Sequence, residues 1–103
     1  MKVVYAERAR RDIEDIYDFI ATHNPHAAQR VEDLIRVTCE GFAQFPFASV
    51  ATDEPGVRRA PLVRYPYTIF YRVDVARDVV EIARVLHGAR VKNLRQLPDD
   101  STD

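Results

Sequence analysis

Apolar and polar positions along the chain switch from an extended run to helical spacing and then to an alternation of two. Lys2–Tyr5 is a β-branched and aromatic run, which predicts a short strand. From Glu7 onward, Ala9, Ile13, Ile16, Tyr17 and Ile20 recur at steps of three and four, with Arg10, Arg11, Glu14, Asp15 and Asp18 between them. This predicts an amphipathic helix to about Thr22. Asp12, Glu14, Asp15 and Asp18 are expected on its solvated face. His23-Asn24-Pro25 breaks the pattern, with Asn24 suited to cap a second helix and Pro25 to begin it. That helix is expected to reach about Gln44 and to bury Ala27, Val31, Leu34, Ile35, Thr38, Phe42 and Phe45. Two amphipathic helices with so short a link fold back as an antiparallel hairpin. Neither buries its stripe alone, so both need a common third surface.

Pro46 to Gly56 is rich in turn formers and predicts a loop of about ten residues. The period then becomes two. Val57–Leu62 is a strand candidate ended by Pro61, and 63–66 a turn. Tyr67–Val73 is a strong strand, 74–78 a polar hairpin loop, and Val79–Leu86 the last strand, punctuated by Gly88. The expected fold is α+β: an N-terminal strand, an antiparallel two-helix hairpin, then a three-stranded antiparallel meander, stacked as a two-layer sandwich. One domain over residues 1–97 is expected, followed by a frayed acidic tail over 98–103.

Composition narrows the classes. A chain of 103 residues holds one domain, well above the ~40-residue floor for an unaided core. At 47% hydrophobic and 30% charged it is too apolar for a disordered chain. A single cysteine, Cys39, excludes an internal disulfide and a four-cysteine zinc site. No apolar run approaches the ~20 residues of a membrane span. The first eight residues meet charge at once and lack a signal-peptide core, so a cytoplasmic protein is expected. His23 and His26 flank a helix start without ligands at metal spacing, and no cofactor or metal motif is present. Net charge is −1 but unevenly spread: −2 over residues 1–50, +4 over 51–98 and −3 in the tail. Thirteen of fifteen basic residues are arginine, suited to planar recognition of carboxylate or phosphate. A solvated surface and a surface for an acidic partner both fit that bias.

Tyr67-Thr68-Ile69-Phe70-Tyr71-Arg72-Val73, followed by Val80 to Arg90 with its Arg84-Val85-Leu86-His87-Gly88-Ala89-Arg90 ending, resembles the end of the RelE/ParE superfamily of type II toxins. The likeness is closest to the ParE branch of plasmid-stabilisation toxins. Asn24-Pro25 between the helices, Phe45-Pro46 after the second, and Val57-Arg58-Arg59 at the start of the sheet fit the same pattern, so the resemblance spans Lys2 to about Arg90. It implies a toxin silenced by a cognate antitoxin, sometimes paired within a larger complex. RelE-like members enter the ribosome and cut mRNA; ParE-like members inhibit DNA gyrase, trapping it on DNA without being enzymes. The fold does not decide between them.

Cutting RNA through its 2′-hydroxyl needs a base, an acid and cations around the phosphorane. Arg59, Arg72 and Arg84 are candidates for the charge and His87 for the acid. A base is missing: the second strand carries neither Lys nor Glu, Glu54 lies in the preceding loop, and no tyrosine follows Tyr71. Arg72 and Arg84 are equally candidates for structural pairs with Asp74 or Glu81, and His87 for a structural residue at the sheet edge. A gyrase inhibitor needs only a surface, for which Arg58, Arg59 and Arg64, with Arg90, Lys92 and Arg95, are the candidates. The same arginines are candidate contacts for the antitoxin. An orphan module without activity is the third reading. The sequence favours the non-catalytic inhibitor.

Overall fold

The computed structural model describes residues 1–88 of the chain. In order these form β1 (Lys2–Tyr5), α1 (Glu7–Ala21), α2 (Pro25–Gly41), β2 (Val50–Ala51), β3 (Val57–Pro61), β4 (Tyr67–Asp74) and β5 (Val79–His87). The expected tail over 98–103 and the end of the expected domain lie outside the described residues. The strands form one mixed sheet in the order β1-β5-β4-β3-β2. β1 runs parallel to β5 and the other pairs are antiparallel. The helical hairpin covers one face, giving the expected two-layer α+β arrangement with one strand more than expected. β2 falls inside the predicted loop; two residues are too few to show an alternation.

The helix break follows from local chemistry. Asn24 is extended, and its Oδ1 accepts the Ala27 N–H at 3.0 Å, while Pro25 opens α2 without needing a donor. The helix stops at Gly41, earlier than expected, and 42–44 continue only as turns. The buried stripe of α2 is Ala28, Val31, Ile35 and Cys39, continued by Phe42. Ala27, Leu34 and Thr38, expected inside, sit at its margin, and Phe45 is exposed because the helical period has ended before it.

This stripe meets Ala9 and Ile13 of α1 and the inward residues of the sheet, among them Ile69, Tyr71, Val80, Ile82 and Val85. Phe42 stacks on Tyr71 with ring centroids 4.0 Å apart. The Tyr71 hydroxyl donates to the Pro46 carbonyl at 2.8 Å and also bonds Ser49 Oγ, so the chain leaving α2 is tied to the middle of β4. Alternation along β4 sends Phe70 to the opposite face, where it packs with Val57 and Leu86 in a small second cluster. Among the described residues that face carries no helix.

Candidate functional site

Five of the arginine and histidine candidates fall on two separate parts of the sheet. The first is the end of β5. β1 accompanies β5 only as far as the Tyr5–Ile82 pair, and the Ala6 N–H closes that ladder on the Ile82 carbonyl at 2.9 Å. Beyond it the strand edge is met by a side chain of α1. Asp12 Oδ2 accepts the Val85 N–H at 3.0 Å, and the same carboxylate takes Arg84 Nε at 2.7 Å and Nη2 at 3.0 Å. Asp12 is therefore buried, at 9% exposure, and not on the solvated face. A bidentate arginine and a backbone donor satisfy its oxygens, which offsets the desolvation of both charges. Arg84 is paired with Asp12, not with Glu81 or Asp74, and its guanidinium is closed to a substrate. The signal was in the sequence: Asp12 stands three after Ala9 and four before Ile16, on the apolar stripe.

His87 ends β5. Its ring meets Tyr67 edge-on at 5.6 Å, and with Asp15, Ile16, Phe19, Tyr67 and Val85 it lines a cleft of about 370 Å³ beside α1. Burial pushes the Tyr67 hydroxyl upward from its ordinary pKa. Burial likewise raises the Cys39 thiol, hydrogen-bonded to Tyr5, to about 12, so it is neutral and no nucleophile at neutral pH. Among the described residues no group of three or more His, Cys, Asp or Glu could hold a metal ion, and no helix is long and apolar enough to cross a membrane.

The second part is β3. Arg58 pairs with Tyr71 and Arg59 with Phe70, so neighbours in sequence point to opposite faces. Arg58 is half-buried. Its Nη1 donates to the Ser49 carbonyl at 2.6 Å and the Phe47 carbonyl at 3.3 Å, and its guanidinium stands 4.9 Å from the centre of the Phe47 ring. It braces the loop leading into β2. Arg59 is exposed on the helix-free face, with no ion pair or side-chain hydrogen bond among the described residues. Arg72 pairs with Val57 and so shares that face. Arg64 is exposed in the turn before β4. The structure thus groups Arg59 with Arg72 on the open face and places His87 beside α1. Arg90, Lys92 and Arg95 lie outside the described residues.

ParE toxins of type II toxin–antitoxin systems, parDE, are matched over residues 3–92. The chain belongs to the ParE toxin family. Toxin RelE2 of Caulobacter vibrioides is 34% identical to this ParE-family toxin over 91 residues, covering 87% of this chain and 98% of that protein. The chromosomal ParDE toxin–antitoxin system of P. aeruginosa contains a similar structure, with a TM-score of 0.73 and 23% identity over 84% of this chain and 95% of that one. The RelBE2 toxin–antitoxin complex of Mycobacterium tuberculosis contains another, with a TM-score of 0.56 and 22% identity, again over 84% and 95%. At those identities the two structures speak for the fold.

Proposed function

We propose that this ParE-family toxin acts in the cytoplasm by binding DNA gyrase rather than by cutting mRNA, and that a cognate antitoxin neutralises it. The observation that carries this reading is the separation of the candidate ribonuclease groups. Arg84 is closed off by Asp12, His87 lies beside α1, and Arg59 and Arg72 occupy the helix-free face. General acid–base catalysis needs its groups within hydrogen-bond reach of one reacting phosphate, and this arrangement lacks a base as well. A binding inhibitor needs an exposed cationic surface, which Arg59 and Arg64 supply, with Arg90, Lys92 and Arg95 contributing charge further along the chain. Arg58 supports that surface from within, through its bonds to the loop carbonyls. The antitoxin is supported by the family, whose members are toxins of type II toxin–antitoxin systems.

The test compares growth arrest with gyrase supercoiling in vitro. His87→Gln is expected to leave both effects intact. Charge reversal of Arg59 and Arg64, or of Arg90, Lys92 and Arg95, is expected to weaken both by about tenfold or more, the usual scale for a hot-spot arginine. Ribosome-dependent mRNA cuts that disappear in folded His87→Gln protein, with supercoiling untouched by excess toxin, would reverse the assignment in favour of the ribonuclease.

A further inference from the structure

The C-terminal half of α1 is apolar and anionic at once. Phe19 is 72% exposed there and borders the cleft of about 370 Å³ whose lining includes Ile16, Tyr67 and Val85. The last turn of the helix carries no basic residue; Asp18 stands exposed in that turn and Asp15 in the one before. The negative end of a helix dipole favours cations, not carboxylates. Among the described residues neither carboxylate forms an ion pair. A fitting occupant is therefore apolar on one side and basic on the other.

The chain itself leads to this place. His87 lines the cleft, and Gly88 follows directly, its N–H donating to the Pro66 carbonyl at 2.7 Å. The next residues in sequence are Ala89-Arg90-Val91-Lys92-Asn93-Leu94-Arg95-Gln96-Leu97. Val91, Leu94 and Leu97 recur at steps of three among three cations, with no acidic residue between them. Reach is ample: Leu94 is six residues past Gly88, up to about 20 Å of extended chain or about 9 Å of helix. So short a tether holds the segment at an effective concentration in the millimolar range, so a modest contact suffices. We infer that residues 89–97 fold back over the C-terminal half of α1, seating Val91 and Leu94 against Phe19 and the cleft and turning basic side chains toward Asp15 and Asp18. Phe19 is then covered from within the chain, and the Arg90, Lys92 and Arg95 cluster is positioned on the α1 side, away from Arg59 on the helix-free face. The inference concerns the free chain and holds whichever target the toxin has.

The experiment is hydrogen exchange on the purified full chain and its variants. Amides 91–96 should exchange about tenfold or more slowly than in an unstructured peptide. Phe19→Ser should remove most of that protection, the scale of losing a buried aromatic contact. Asp15→Lys should lower it about threefold, with a larger effect at low salt. Both residues are exposed in the described structure, so unchanged exchange in β4 and β5 confirms that the variants fold. Val63→Ser is the control, since Val63 is 93% exposed in the turn before β4, and it should match the wild type. The chain contains no tryptophan, so Leu94→Trp adds a second reading: its emission should lie to the blue of a solvated indole and shift red when Phe19→Ser is added. Unstructured exchange rates over 91–96 in the wild type would overturn the inference. Protection that survives Phe19→Ser and Asp15→Lys would also overturn it, by placing the segment elsewhere. Protection that fades on dilution gives the cleft to the same segment of a second copy, and protection seen only with added antitoxin or gyrase gives it to a partner; either result sinks the intramolecular contact.

Discussion

The junction of α1 with β5 and the β2–β3 edge use arginine in opposite ways. At the junction, Arg84 lies 8% exposed with both sides of its fork on Asp12, and the strand edge beside it is closed by the same carboxylate. At the far edge, Arg59 stands in solvent beside apolar side chains that nothing described covers. The two residues are both arginines within β strands, and local sequence does not separate them. What separates them is which edge another element reaches. β1 is four residues long against nine for β5, so an α1 side chain meets the remainder. β2 has only two residues and no further element follows on its outer side among those described. One edge is sealed from within the chain; the other is uncovered among the described residues.

Removing the seal is the most damaging way to break this contrast. Asp12→Ala leaves the Arg84 guanidinium buried without its carboxylate and the Val85 amide without its acceptor. The expected loss is about 3–5 kcal/mol in denaturant unfolding. Asp12→Leu combined with Arg84→Met removes both charges together, and should cost less than Asp12→Ala alone. A loss below about 1 kcal/mol for Asp12→Ala would mean that the junction is as open as the far edge, and the contrast would collapse.

A milder change loosens the far edge without touching its exposed residues. Tyr71→Phe keeps the ring stacked on Phe42 but deletes the hydroxyl that binds the Pro46 carbonyl and Ser49. The expected cost is about 1–2 kcal/mol, that of a part-buried hydrogen bond with its acceptor left behind. Amide exchange over residues 46–51 should accelerate more than exchange in β4 and β5. Uniform acceleration across the sheet would show that the hydroxyl supports the whole core rather than this loop.

The strong periods were legible in the sequence because they arise from burial on one side: both helices, the Asn24 cap and the three meander strands follow from it. The residues that escaped are those whose role depends on distant partners. Asp12 and Arg84 are 72 positions apart, and only the short length of β1 brings the carboxylate to the strand. On α2 the expected Val31, Ile35 and Phe42 are buried, but the stripe is narrower than the apolar pattern suggests: Leu34 packs at its margin while Ala28 and Cys39, too small or too polar to stand out, lie inside. β2 was hidden by its brevity. Phe47 and Val50 did carry a signal, as large apolar residues inside a turn-rich segment with no period to bury them.

The smallest expected effect is the sharpest, because it compares two adjacent arginines. Arg58→Ala removes two bonds to loop carbonyls and the contact over Phe47, and should cost about 1–2 kcal/mol. Arg59→Ala removes a side chain that engages no described partner, and should leave stability within about 0.5 kcal/mol of the wild type. Paired denaturation curves at one salt concentration measure the difference. Its sign follows from strand alternation alone, since Arg58 faces Tyr71 and Arg59 faces Phe70. An equal loss at both positions would place Arg59 inside the fold's own network, and a residue already engaged there is a poor anchor for a second chain. A neutral Arg59→Ala in the free toxin leaves that guanidinium available, so any affinity it contributes to a complex is not offset by breaking an internal bond.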